Sequence, residues 1–168
     1  MDCIEGMKRY PDKYFDLAVV DPPYGIGAEN HAGNKENGWT QWAKKDWDNA
    51  IPTAEYWKEL FRVSKNQIVW GANYMTEHLP PKMGWIVWDK GQRDFSLADG
   101  ELAWTSFDKA MRIFTYARAK ALQEGKIHPT QKPVALYEWI LQNYASEGDL
   151  ILDTHLGSGS SRIAAHKA

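Results

Sequence analysis

One cysteine, Cys3, is all the thiol that the 168 residues contain. An internal disulfide is therefore excluded, a thiolate zinc site cannot be assembled, and the composition suits a reducing cytoplasm. No apolar run approaches the ~20 residues of a membrane span, and no signal-peptide pattern is read at the start. A soluble cytoplasmic protein with no membrane partner is the expectation. An excess of one charge is missing too. The formal net charge is -2, so no global field draws in nucleic acid, and any attraction to phosphate has to be local. The five histidines show no metal-site spacing, and no metal is expected. Repeats, low-complexity tracts and Pro/Gly/Ser-rich linkers are absent, which leaves one domain over 1–168.

What is present is apolar and aromatic. Hydrophobic residues make up 43% of the chain, with nine Trp, eight Tyr and five Phe, enough to fill a sizeable core. Residues 15–20 (FDLAVV) form a short apolar run closed by Asp21-Pro22-Pro23. Proline cannot donate to a ladder, so this reads as a buried strand with a fixed end. Residues 67–70, 85–88, 102–104, 112–116 and 150–152 read as further strands. Tyr56, Leu60 and Val63 lie at helical spacing behind Thr53, a candidate N-cap. Pro133 opens a second helix in its first turn, with Leu136, Ile140 and Tyr144 on one face and Gly148 as its stop. A last helix follows Gly157-Ser158-Gly159. Strands and helices in alternation, with strands apolar throughout, indicate a parallel α/β sheet. Two strands share one design, an apolar run ending in Asp and then a Pro or Gly turn, at Asp21 and Asp153. Ligands of open α/β sheets lie beyond the carboxyl ends of strands, so two carboxylates there imply a polar ligand.

Two turns carry the chemistry. Asp21-Pro22-Pro23-Tyr24 is a stiff turn that holds a carboxylate and free carbonyls beside a flat ring. It reads as a receptor for the edge and face of an amino-bearing heterocycle, or as a structural turn with a packed tyrosine. The stretch Asp153-Thr154-His155-Leu156-Gly157-Ser158-Gly159 puts glycines two apart before a helix N-terminus, where a ligand can approach the backbone and an anion finds free N–H groups. It is not a dinucleotide fingerprint, because Arg162 stands at the third glycine position, nor a P-loop, nor a serine-hydrolase elbow. Between the turns, residues 109–132 hold six basic residues and one acid, a local balance of +5. Phosphate contact and a solvated face both fit. Residues 25–49 are polar, with four glycines and Trp39, Trp42 and Trp47. Such a stretch is a loop that closes over a ligand or one that packs on itself.

Over nearly its whole length the chain resembles the β class of DNA amino-methyltransferases. Three motifs occur in that class's order: DPPY at 21–24, HPTQKP at 128–133 and DTHLGSGS at 153–160. The stretches Arg62-Val63-Ser64-Lys65 and Trp70-Gly71-Ala72-Asn73-Tyr74 strengthen the match. The resemblance implies a Rossmann-like, S-adenosylmethionine-dependent methyltransferase sheet in circularly permuted order. It assigns catalysis to Asp21, Pro22, Pro23 and Tyr24. Asp21 and the Pro22 carbonyl would hold the target amino group, and the Tyr24 ring would stack on a base flipped out of double-stranded DNA. Stacking uses the ring and not the hydroxyl, so Tyr24→Phe should be mild. S-adenosylmethionine would lie against Asp21, Thr130, Lys132, Asp153, Gly157, Ser158 and Gly159. DNA contact falls to Arg112, Arg118 and Lys120, within a short recognition insert at 109–127 that separates a catalytic part (1–108) from a cofactor part (128–168). DPPY is the form usual for adenine N6, with cytosine N4 as the alternative.

The resemblance also implies two further strands and a ribose-binding acid after residue 168. Without them, the strand ending at Asp153 becomes an edge, cofactor binding weakens, and the chain tends to form a homo-oligomer. A non-catalytic remnant that binds DNA or cofactor is the reading this leaves open. Methyltransferases of glutamine side chains or RNA amino groups share a similar turn, usually NPPY. They place the cofactor motif first, and the permuted order here counts against them.

Overall fold

The computed structural model describes residues 2–26, 50–94, 96–123 and 131–168. Residues 27–49, with their three tryptophans, lie outside the described residues, as do 124–130, which include Thr130.

The central strand, β1 (Phe15–Val20), shows why the fold has three layers. Leu17, Ala18, Val19 and Val20 are all buried. Successive side chains of a strand point to opposite faces, so a run with no polar break needs cover on both. Ala18 and Val20 join one core with α1 (Cys3–Met7) and α2 (Ala54–Val63), through Met7, Tyr56, Leu60 and Val63. Leu17 and Val19 join the other, with α4 (Val134–Tyr144) and α5 (Ser160–Lys167), through Leu136, Ile140 and Ala164. α2 begins behind Thr53, whose carbonyl accepts from the Tyr56 and Trp57 amides while its side chain makes no capping bond. α2 runs without a break into β2 (Ser64–Trp70), and Ser64 Oγ donates back to the Leu60 carbonyl.

The remaining strands among the described residues are β3 (Ile86–Asp89), β4 (Gly100–Thr105), β5 (Arg112–Thr115) and β6 (Ile151–Leu152). The six form one sheet in the order β5-β3-β4-β2-β1-β6. β1 pairs parallel with β2 and β6, and β3 parallel with β5. β4 runs antiparallel to both neighbours, which corrects the expectation of a wholly parallel sheet. The reason lies in chain length. Only ten residues separate Asp89 from Gly100, and a parallel crossover takes a dozen or more. A hairpin is what fits.

Element limits differ in smaller ways. Pro133 is the N-cap of α4 and not part of its first turn, and the helix stops at Tyr144, with Ala145 as the C-cap. Gly148, at φ +86°, serves the turn into β6 instead. Composition gave no sign of α1, nor of the short helix α3 (Arg118–Gln123). No helix among the described residues is long and apolar enough to cross a membrane.

From β1 the sheet extends outward through β2, β4, β3 and β5, with β4 folded back between β2 and β3, and the chain then returns to the other side of β1 as β6. Strand order therefore reverses between β1 and β6. Crevices that take ligands form at such a point, and Asp21 and Asp153 follow those two strands directly.

Candidate functional site

Beyond the ends of β1 and β6 lies a cavity of about 320 Å³, lined by Asp21, Pro23, Lys132 and Tyr137 on one side and residues 155–158 with Ser160 on the other. That volume is in the range of small-molecule sites, roughly 300–1,000 Å³. Polar groups of the Asp21 turn and of the glycine loop thus open onto one space.

On the first side Asp21 is fixed at both oxygens. Tyr24 donates its hydroxyl to Asp21 Oδ1 at 2.7 Å, and Lys132 Nζ donates to Oδ2 at 2.6 Å and to the Tyr24 hydroxyl at 3.0 Å. Lys132 is almost fully buried, its side chain 1% exposed. Burial alone would push its ammonium down, but Asp21 and Glu101 oppose that and hold it well above the usual lysine value. Burial pushes the Tyr24 hydroxyl up, with Lys132 working against it, so the phenol is neutral and free to donate.

Gly71, directly after β2, makes room for Tyr24. It adopts φ +68°, and a β-carbon there would lie 2.1 Å from Tyr24 Cε1. The Tyr24 ring also stacks on Tyr74, with centroids 5.4 Å apart and planes 21° from parallel. Tyr74 is 45% exposed.

On the second side Asp153 organises the loop. Its Oδ1 accepts the His155 amide at 3.0 Å and its Oδ2 accepts the Ser161 hydroxyl. Both bonds turn the carboxylate into its own loop, and burial holds it above the usual carboxylate range. Gly157 and Gly159 have φ of +55° and +79°. A β-carbon at Gly159 would meet nothing within 4 Å, and one at Gly157 only the His155 carbonyl at 3.9 Å. The space beside both glycines is open, and Gly159 is the N-cap of α5, whose first-turn amides are not all used within the helix. Thr154 bridges Tyr56, at 2.7 Å, and His155 Nδ1, at 2.8 Å. Burial pushes His155 below the ordinary histidine value, which leaves a neutral imidazole at the cavity wall near pH 7. Among the described residues no group of three His, Cys, Asp or Glu side chains could hold a metal ion.

Comparison with known proteins fits this layout. A family model described as DNA methylase, of the N6/N4 kind, matches residues 69–168. The chain belongs to the N6/N4 DNA methylase family. The type II methyltransferase M.HpaI of Haemophilus parainfluenzae is 26% identical over 207 residues, covering 95% of this chain and 63% of its own length. M.HinfI of Haemophilus influenzae is 25% identical over 217 residues, covering 98% and 60%. The chain therefore spans about three-fifths of the length of these curated relatives. In fold it is similar to the solved M1.HpyAVI–SAM complex, at a TM-score of 0.58 and 20% identity, over 99% of this chain and 86% of that one.

The residues singled out from sequence are placed as follows. Asp21, Pro23, Lys132, Gly157 and Ser158 line the cavity. Pro22 and Tyr24 complete the turn, while Asp153 and Gly159 shape the loop from behind, and Thr130 is outside the described residues. Arg112 and Lys120, expected to contact DNA, are not brought together. Arg112 begins the outer strand β5, and its charge acts on Tyr144, at the C-terminal end of α4. An 11-residue helix separates that point from Pro133 by ~16 Å. Lys120 lies beyond the other end of β5, its ammonium 5.0 Å from the Tyr116 ring centroid, and Arg118 begins α3 in the same segment.

Sequence reasoning missed Glu101 and Lys90, and it gave Gly71, Tyr74 and His155 no role of their own within the stretches that contain them. Glu101 had one available signal, a charge at the head of the apolar strand Leu102-Ala103-Trp104.

Proposed function

We propose that this chain is the catalytic and cofactor-binding part of a DNA methyltransferase that carries a methyl group from S-adenosylmethionine to the N6 amino group of adenine. The observation that carries the reading is that the Asp21 turn and the glycine loop share one cavity. The residues present fit the cofactor. Gly157 and Gly159 leave the wall open, and the α5 N-terminus with Ser158 and Ser160 offers donors to a carboxylate. When bound, S-adenosylmethionine supplies an electrophilic sulfonium methyl.

The chain's own residues then have to prepare a poor nucleophile. An exocyclic amine is weakly nucleophilic because its lone pair is shared with the ring. Hydrogen bonds from its N–H groups to Asp21 and the Pro22 carbonyl favour a pyramidal nitrogen with a freer lone pair. Fixing that nitrogen toward the methyl is the main contribution. Asp21 can take this bond although Tyr24 and Lys132 already occupy it, because each carboxylate oxygen has two lone pairs. Extruding the base from double-stranded DNA costs a few kcal/mol, and stacking beside Tyr24 and Tyr74 offsets part of that. Adenine is preferred over cytosine because the turn reads DPPY.

Incubation of the 168-residue chain with S-adenosylmethionine and DNA, followed by mass spectrometry of the nucleosides, tests the reading. N6-methyladenine is the expected product. N4-methylcytosine would transfer the assignment to cytosine, and the absence of both products would refute methyl transfer by this chain.

A further inference from the structure

The catalytic turn and the glycine loop do not use every buried charge at this edge of the sheet. Glu101, near the head of β4 and in register with Trp88, meets two ammonium groups. Lys90 lies 2.9 Å from its Oε1 and Lys132 lies 3.1 Å from its Oε2. Lys132 is in turn 2.6 Å from Asp21. Lys90, Glu101, Lys132 and Asp21 therefore form a row of alternating charge that ends at the cavity.

We infer that Glu101 is a positioning residue: it holds the Lys132 ammonium between two carboxylates, so that Asp21 is kept correctly turned without its charge being offset in a closed pair. The inference rests on the proposed methyl transfer, in which Asp21 accepts from the target amine. An ammonium paired with Asp21 alone would offset most of that carboxylate's charge and make it a weaker acceptor. Shared with Glu101, the same ammonium leaves net negative charge on the trio, and Lys90 balances this from the far side of Glu101. The amine gains positive charge during transfer, so a negative Asp21 stabilises the transition state, most of all where burial weakens screening.

Glu101 also governs when Lys132 loses its proton. The titratable groups around Lys132 and Asp21 are Tyr24 on the turn, Tyr137 on α4, Asp153 and His155 beyond β6, and the row itself. Burial pushes both tyrosines up, so they are neutral. Glu101 and Asp21 are the anions in contact with Lys132. Removing one leaves burial opposed by the other alone, and the ammonium must titrate at lower pH.

Glu101→Gln removes the charge and keeps the shape, and Glu101→Asp keeps the charge. The 168-residue chain, labelled with ¹³C at lysine Cε, reports the Lys132 titration, its resonance assigned by loss in Lys132→Met. The expected midpoint in Glu101→Gln lies about one pH unit or more below wild type, with partial recovery in Glu101→Asp. In methyl transfer, Glu101→Gln should lower kcat about tenfold, change KM for the cofactor less than about twofold, and add an alkaline limb at the resonance midpoint. An unmoved Lys132 midpoint overturns the inference. So does a moved midpoint with wild-type kcat, which would make the row purely structural. A wild-type chain that methylates no DNA refutes the methyl-transfer reading instead, and the two failures stay distinct because the resonance is read without turnover.

Discussion

Replacing Gly71 by alanine puts a methyl group where the Tyr24 ring now lies. The added carbon would be 2.1, 2.4 and 2.6 Å from Tyr24 Cε1, Cδ1 and Cζ. No contact that short survives, so the ring has to leave. When it leaves, the 2.7 Å bond to Asp21 and the 3.0 Å bond from Lys132 go with it. Hydrogen bonds to charged partners contribute about 1.5–3 kcal/mol each, part of which water restores once the hydroxyl is exposed. The backbone adds its own cost, since φ +68° is unfavourable by about 1–2 kcal/mol for a residue with a β-carbon. A net loss of about 2–4 kcal/mol follows, and for a chain of this size that lowers Tm by roughly 5–12 °C. Thermal unfolding followed by circular dichroism measures it, and a second background separates the causes. In Tyr24→Ala the space is already empty, so Gly71→Ala should there cost only the backbone strain, about 1–2 kcal/mol. Equal losses in both backgrounds would refute the steric argument, and a Tm change under ~2 °C in the wild-type background would refute the whole reasoning.

Three further outcomes are expected. Tyr24→Phe, mild if only the ring matters, should instead lower methyl transfer about tenfold, because the hydroxyl donates to Asp21 and accepts from Lys132; a kcat equal to wild type would return Tyr24 to stacking alone. Lys132 and Lys90, outweighing burial, hold Glu101 at about 2 against an ordinary 4.5, so its contribution to stability is complete above pH 4.5 and disappears as pH falls toward 2. Glu101→Gln should flatten that part of the urea-midpoint profile, and parallel profiles would contradict it. For DNA affinity, neutralising Lys120 should reduce the log–log salt slope by roughly 0.9 and neutralising Arg112, at the remote end of α4, should leave it unchanged; the same slope change from both would place both ends of β5 on the DNA.

The two strand ends that build the site are legible in the sequence because their signals are local. An apolar run stopped by Pro22, and another followed by a glycine pair, each end in aspartate, and the structure puts these ends on adjacent strands. Helix α2 is legible for the same reason, since its buried residues repeat within eleven positions of Thr53. The direction of β4 was less plain. Its residues are apolar like those of a parallel strand, and only the short connection from β3 betrays the hairpin. Gly71 could be seen as a glycine but not as the neighbour of Tyr24, because the contact joins the ends of two different strands.

Lys132 shows most clearly where local reading stops. Its place before α4 puts it at the cavity, and from sequence that is as far as its role extends: a cation at the cofactor wall. Its burial demands more. An ammonium with 1% of its side chain exposed is not stable in a fold unless anions surround it, so the structure has to deliver carboxylates to it from elsewhere. One is Asp21, 111 positions earlier. The other is Glu101, which reaches the same edge because β4 is reversed: an antiparallel strand brings its N-terminal end to the side where its parallel neighbours have their C-terminal ends. Had β4 run parallel, Glu101 would sit at the opposite edge of the sheet and Lys132 would face Asp21 alone. Among the described strands, the one that breaks the parallel pattern is therefore the one that completes the charge row behind the Asp21 turn.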